Sequence, residues 1–374
     1  LITGNGRCNV TNNCELTEFI RHIPGNGQFL YSALRKFTNA DMREFLAHWG
    51  VPTKVESNGR VFPVSDKAQD VLEAFLRALA TYEGKLCTDQ PVTKLIVESG
   101  CVSGVITAKG KKYAADAVIL ATGGASFPAT GSTGDGYRLA AAVGHTVIEP
   151  RPSLVPLIVA EDWIRTLQGL SLKDVAASVV YKGRHLATGF GEMLFTHFGV
   201  SGPLILSLSR QVAELLQQPE HGEILLEINL QQALSEEALD EQLLRDFEKF
   251  SRKQVSNALF ELLPKKLADV VIDLAYIDPD KLVNQVTKAE RRRLVRQMQH
   301  LTFTVTATRP LQEAMVTAGG INTKEINPKT MESKIVRGLY FAGEVIDVDG
   351  LTGGYNLQAA FSTGYVAGEA ALRQ

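Results

Sequence analysis

The stretch from Gly338 to Gln358 constrains this chain more than any other. Gly338-Leu339-Tyr340-Phe341-Ala342-Gly343-Glu344-Val345 reads as an apolar strand ending in Gly-Glu. An acidic loop with Asp347, Asp349 and Gly350 follows. Thr352-Gly353-Gly354-Tyr355-Asn356-Leu357-Gln358 then opens a helix of small residues, Ala359 to Ala371. The first N–H groups of a helix have no internal acceptor, so a glycine-rich turn at its start forms an anion and dipole site. The plain alternative is a capped surface helix. The glycines and the acidic loop occurring together favour the site.

A second segment has the same grammar. Ala117 to Ala121 is a continuous apolar run, as expected of a buried parallel strand, and it ends in Thr122-Gly123-Gly124. Ligands of open α/β sheets bind beyond the carboxyl ends of strands. A lone A-T-G-G is common, but Ser126, Pro128, Thr130-Gly131-Ser132-Thr133-Gly134 and Asp135-Gly136 extend the loop at the same edge. The opening Gly4-Asn5-Gly6-Arg7-Cys8-Asn9-Val10-Thr11-Asn12 adds a third loop, whose glycines let the main chain approach a ligand closely. A plain Gly/Asn turn is the competing reading there.

Between these segments the pattern predicts helices over Thr38–Trp49, Asp66–Gly84 and Gly134–Val143, and a β-meander over Val92–Val97, Val102–Thr107 and Lys112–Ala114. Arg151-Pro152-Ser153 reads as a joint. Residues 154–230 look strand-rich, and 234–299 helical and charged. The class is therefore α/β, with a Rossmann-like domain interrupted by an insertion. The expected division is 1–150 and 330–374 for that domain, 151–230 and 300–329 for an inserted barrel, and 231–299 for a helical insert.

These segments together resemble a family of bacterial flavoproteins, the aminoacetone-oxidase-like or bile-acid-reductase-like FAD enzymes. The resemblance rests on G-R-C-N-V-T-N at Gly6 to Asn12, the A-T-G-G run at Ala121 to Gly136, and the run at Gly338 to Gln358. Phe195 to Pro203 and Ile326 to Lys334 resemble two further boxes of that family. It implies an FAD/NAD(P)-binding Rossmann-like domain with an inserted β-barrel that carries a small helical insert. It implies FAD as cofactor, a small organic substrate, and O2 or NAD(P)H as redox partner. Carried over by position, Gly4, Asn5, Gly6, Arg7, Cys8, Asn9, Val92, Thr122, Gly123, Gly124, Gly343, Glu344, Gly353, Gly354, Tyr355, Asn356 and Leu357 are the FAD-lining candidates. Tyr355 and Asn356 are placed nearest the isoalloxazine, where the helix start would face a carbonyl that gains negative charge on reduction. The family opens with strand-G-x-G-x-x-G-helix, an acidic residue and G-R-K. This sequence begins at Leu1 without them, so leading residues are expected to be missing.

Other signals are weaker. His197 could serve as acid or base, or as a structural histidine near the barrel. Arg291-Arg292-Arg293 with Arg296 could touch nucleic acid, but with Glu290 beside them and no interleaved aromatics they read as a solvated helix face. A non-catalytic flavoprotein scaffold is the rival from another class. Cys8, Cys14, Cys87 and Cys101 form no zinc spacing, no metal is expected, and free thiols suit a cytoplasmic protein. A formal net charge of -2 gives no global basic field, and no apolar run reaches membrane-spanning length.

Overall fold

The computed structural model describes residues 2–220 and 222–373. It divides into two compact units, Leu1–Ser153 with Leu311–Gln374, and Leu154–Pro310.

In the first unit a parallel pair joins distant parts of the chain. Leu339–Phe341 runs beside Val118–Leu120, with Leu339 opposite Val118 and Phe341 opposite Leu120. Leu339, Tyr340 and Phe341 are almost wholly buried, as their apolar run predicts. The meander Val92–Glu98, Cys101–Thr107 and Lys112–Ala114 forms an antiparallel sheet turning at Ser99-Gly100 and Lys109-Gly110. Thr11–Asn12, Arg60–Pro63 and Thr53–Val55 make a small sheet. The helix Asn39–His48 begins at a capping box in which the Thr38 hydroxyl accepts from the Asp41 N–H and the Asp41 carboxylate accepts from the Thr38 N–H.

The helix Ala68–Thr81 buries Ala68, Val71, Ala74 and Ala78, while Leu72, Leu76 and Leu79 stay exposed. The apolar periodicity marked this helix, but the smaller side chains form its buried face.

The second unit is a closed barrel of six antiparallel strands. Their order is Ser171–Tyr181, Arg184–Phe195, Gly199–Ser201, Leu157–Val159, Leu301–Thr308 and Ile224–Asn229. Helices Glu236–Lys249, Val255–Leu259, Lys265–Leu274 and Lys288–Gln299 lie between the last two in chain order.

Three expectations need correction. Arg151-Pro152-Ser153 does mark the division, since the first unit ends at Ser153, but these residues are strand rather than linker, closing Val147–Ser153, which pairs with Val316–Ile321. Pro152 lacks an N–H, yet a two-stranded ribbon has an outer edge where none is needed. The strand Val316–Ile321 therefore belongs to the first unit, and the chain returns there at Leu311 rather than at 330. Within the stretch read as strand-rich, Pro203–Leu216 is a helix. It buries Leu204, Ile205, Leu208, Val212 and Leu215, a helical spacing overlooked beside the strands, and Pro203 suits its first turn.

Candidate functional site

The parallel pairing brings the carboxyl ends of two strands to one edge. The Ala342 N–H donates to the Leu120 carbonyl (3.0 Å), so Ala121–Gly124 and Gly343–Glu344 leave the sheet side by side. Their loops are then tied together by buried side chains. One Glu344 oxygen, Oε1, accepts from the Thr317 N–H (2.6 Å) and the Ser126 hydroxyl (3.3 Å). The Thr317 hydroxyl oxygen accepts from the N–H groups of Ala125 (2.9 Å) and Ser126 (3.1 Å). A Cβ at Gly124 would lie 2.6 Å from that same Glu344 oxygen. Only glycine fits there.

The opening loop is bolted to the C-terminal glycine turn. Gly353 and Gly354 have φ of 131° and 97°, outside the range of ordinary side chains. With its amide turned to satisfy both ends, Asn9 donates to the carbonyls of Val61 and Thr11 and accepts from the Gly354 N–H at 3.1 Å. Asn12 donates to the Gly353 carbonyl (3.2 Å). A methyl on Gly354 would overlap the Thr11 carbonyl. The helix Tyr355–Ala371 starts from this junction, and the Thr363 hydroxyl on its third turn accepts from the Gly343 N–H (2.9 Å). Thus the segments at 4–12, 121–126, 343–344 and 353–356 form one contiguous network within the first unit.

The electrostatics follow from burial. Glu344 lies in a low-dielectric setting that pushes its carboxyl above the usual range, against the hydrogen bonds from Thr317 and Ser126. Burial also raises Asp347, opposed by the Asn26 amide, which donates to its Oδ2 at 2.9 Å. Asp349 is buried and accepts from the Ser153 hydroxyl (2.9 Å). A narrow cavity of about 10 Å³, lined by Gly343, Glu344, Asp349 and Asn356 among others, has room for about one water.

The individual candidates are placed as follows. Asn356 is spent on its own loop: its Oδ1 accepts from the Gly350 N–H (2.8 Å) and its Nδ2 donates to the carbonyls of Gly350 (2.9 Å) and Leu351 (3.3 Å). The Tyr355 ring is buried, stacked on His22 at 4.6 Å and edge-on to Phe19 at 4.9 Å, and burial raises its phenol. These two side chains therefore shape the turn, and what the turn offers a ligand is backbone. Arg7 is held by Glu56 (2.5 Å) and Asp66 (2.6 Å) and lies over the Phe62 ring. Cys8 is buried at positive φ, and burial pushes its thiol up to about 11. Gly4, Asn5 and Gly6 form an exposed turn at positive φ. Thr122 is exposed and Gly123 half-buried at the strand end. Val92 starts the meander opposite Thr107. Leu357 packs toward the cluster of Cys8, Val10 and Met42. His197 is exposed on a barrel loop of the other unit. Thr317 was missed. It stands 27 residues before Glu344, and no local pattern signals its role.

The fit to a flavin dinucleotide can be judged from this network. Glycines at positive φ stand in the opening turn and at Gly123, Gly343 and Gly353-Gly354, and backbone without side chains lets a ligand approach closely. A 17-residue helix directs its free N–H groups from the same place. These features suit a flat ligand with phosphate and carbonyl acceptors. Arg7, committed to two carboxylates, is not available as a phosphate clamp. Among the described residues no group of three or more His, Cys, Asp or Glu could hold a metal, and no helix is long and apolar enough to cross a membrane.

The HI0933-like protein Rossmann domain family matches residues 1–370. The chain belongs to this family. The chain is 33% identical over 375 residues to the 3-dehydro-bile acid delta(4,6)-reductase of Clostridium scindens, covering 100% of this chain and 90% of that protein. It is 32% identical over 378 residues to the ribosomal RNA dihydrouridine synthase of Haemophilus influenzae, covering 100% of this chain and 89% of that protein. Among solved structures, the E. coli quinol fumarate reductase aligns with a TM-score of 0.48 at 18% identity, over 98% of this chain and 62% of that one. This HI0933-like chain is thus an oxidoreductase-family protein that combines a Rossmann-type α/β domain with a closed six-stranded barrel.

Proposed function

We propose that this protein is an FAD-dependent reductase that saturates a carbon–carbon double bond conjugated to a carbonyl, with NAD(P)H as the electron source. The observation that carries the reading is the start of the helix Tyr355–Ala371 beside glycines at positive φ, Gly123, Gly343 and Gly353, because the first N–H groups of a helix have no acceptor within it. The two relatives' names support the direction. A delta(4,6)-reductase and a dihydrouridine synthase each saturate a double bond conjugated to a carbonyl.

Bound at this edge, FAD would supply the two-electron, hydride-transferring chemistry. The chain's own residues do the rest. The turns at Gly4–Gly6, Thr122–Gly124, Gly343 and Gly353-Gly354 would hold it by main-chain contacts. The start of the helix Tyr355–Ala371 favours negative charge at a facing carbonyl. Asn356 fixes the shape of the turn. Glu344, whose carboxyl burial shifts above its ordinary range, ties two loops together through the Thr317 N–H and the Ser126 hydroxyl.

The test starts with protein made from its complete reading frame. Flavin absorption bands, bleached anaerobically by NADPH or NADH and restored by an α,β-unsaturated ketone or a uracil ring, are the expected result. No flavin after added FAD would overturn the assignment. Flavin restored by O2 but by neither acceptor would point to the oxidase direction instead.

A further inference from the structure

The side chain of His145 has no exposure to solvent, and its neighbours fix where its protons can be. Nδ1 lies 3.2 Å from Glu325 Oε2, an oxygen that also accepts from the Thr146 N–H (2.8 Å). Burial would raise Glu325, but the Thr146 N–H and His145 overcome it and hold the carboxyl below its usual range, so the oxygen is an acceptor. Nε2 lies 2.8 Å from the Ser333 hydroxyl. That hydroxyl oxygen already accepts from the N–H groups of Ile335 (3.0 Å) and Val336 (2.8 Å), which takes both its lone pairs. Its proton is therefore donated to Nε2, while Nδ1 donates to Glu325. Neutral imidazole with the proton on Nδ1 satisfies every group. An imidazolium would turn a second N–H against a hydroxyl with no acceptor left. Serine, histidine and carboxylate stand in the order of a hydrolytic triad, but Ser333 is buried and its oxygen is filled, so it is no nucleophile.

These contacts hold a strained segment in place. Residues 331–333 run antiparallel beside the strand Leu339–Phe341: the Phe341 N–H donates to the Met331 carbonyl (3.0 Å) and the Ser333 N–H to the Leu339 carbonyl (2.7 Å). Met331 is buried at a φ of 60°, a left-handed conformation that persists only where the surroundings impose it. The His145 ring stands edge-on to Phe341 at 4.8 Å, so it touches both the segment and the strand that leads to Gly343. Burial holds His145 below the ordinary histidine range, and Glu325 is the charged group that opposes this. The Lys334 ammonium is committed to the Lys324 carbonyl (2.8 Å), and the helix Asp135–Ala141 faces His145 with the Ala140 carbonyl, which accepts from the His145 N–H.

We propose that Ser333, His145 and Glu325 form an acid-released latch, closed while His145 is neutral and opened when it takes up a second proton, freeing residues 331–336 from beside the strand Leu339–Phe341. Opening brings the imidazole into water, where it binds a proton near pH 6.5. Closure therefore competes with the uptake of one proton. It is fully favoured above about pH 6.5 and weakens as pH falls toward the lower value of the closed state. The latch does not depend on the reductase reading.

The experiment is amide hydrogen exchange, read by mass spectrometry on the full-length protein at pH 7.5 and 5.5 and corrected for intrinsic exchange at each pH. Peptides covering residues 331–337 report the latch. The strand Cys101–Thr107 of the same unit reports general loosening. Protection of the latch peptides is expected to fall by about fivefold or more, one proton permitting at most about tenfold per pH unit, while the control strand is unchanged. His145→Gln carries no charge at either pH and should be protected equally at both. Ser333→Ala removes the oxygen to which the Ile335 and Val336 N–H groups donate, and should leave the latch peptides poorly protected already at pH 7.5. Equal protection of wild type at both pH values, an equal fall in His145→Gln, or an equal fall in the control strand would each overturn the proposal. Protection of Ser333→Ala matching wild type at both pH values would do so too, and decides the matter should His145→Gln fail to fold.

Discussion

The glycine junction of the first unit and the basic helix of the second solve opposite problems with charge and backbone. At the junction, main chain packs on main chain, and the polar side chains are committed to protein partners. Asn9, Asn12 and Asn356 each satisfy loop backbone, and Glu344 is largely desolvated. On the helix Lys288–Gln299 the backbone is regular and charged side chains make the polar contacts. Two glutamates measure the difference. Burial drives Glu344 up, whereas Lys281, then the Thr287 N–H, drive Glu290 down to about 2. The same residue type thus reports desolvation in one region and direct pairing in the other. The junction should therefore tolerate almost no added atom, and the helix should respond mainly to changes of charge.

The largest effect expected from that contrast is at Gly354. Gly354→Ala places a methyl against the Thr11 carbonyl at a φ of 97°, where neither backbone can yield. A loss of about 3 kcal/mol or more is expected in urea unfolding, with loss of flavin. Gly368→Ala lies later on the same helix with nothing within 4 Å and should be neutral or stabilising by up to about 1 kcal/mol. Equal costs at both positions would remove the special status of the junction. Asn356→Ala comes next. It strips one hydrogen bond from a loop N–H and two from loop carbonyls, and should cost about 2 kcal/mol by the same measurement.

The two regions were also unequally legible. The strand–glycine–helix grammar of 338–358 and the apolar run into Gly123-Gly124 located the strand ends and the helix start, because backbone that must adopt positive φ or terminate a buried strand leaves glycine in the sequence. The partners were invisible. Thr317 meets Glu344 only because Val316–Ile321 pairs with Val147–Ser153, and that pairing spans the whole inserted unit. Tyr355 and Asn356 were placed nearest the ligand by position, yet the fold turns Tyr355 against His22 and Asn356 onto Gly350. On the basic helix, sequence showed four arginines as one cluster. Only tertiary packing separates Arg291 and Arg293, which hold the insert together, from Arg292 and Arg296.

Glu344→Gln tests the burial side of the comparison. Glutamine keeps an oxygen that can accept from the Thr317 N–H but carries no charge at any pH. A carboxyl whose pKa is raised by folding stabilises fully below its unfolded pKa and loses that contribution as pH rises through the folded value. Wild type should therefore lose stability relative to Glu344→Gln as pH climbs above the ordinary carboxylate range, read as diverging melting temperatures. Parallel curves from pH 4 to 8 would mean that Glu344 is not desolvated as its surroundings indicate.

Glu290→Gln tests the pairing side and should have the smallest effect. Glutamine can still reach the Thr287 N–H and preserve the capping box, so the change isolates the charge that faces Lys281. The pair is partly exposed, which limits the loss at pH 7 to about 1 kcal/mol. Here the sign is reversed. A carboxylate whose pKa is lowered by folding stabilises above its unfolded value near 4.5 and loses that contribution as pH falls toward the folded value of about 2. The difference between wild type and variant should be full at pH 7 and shrink across pH 4.5 to 2, and it should also shrink with added salt. A difference that persists unchanged at pH 2 would mean that Glu290 acts through packing, and the contrast between a buried junction and a charge-governed helix would fail at its more exposed end.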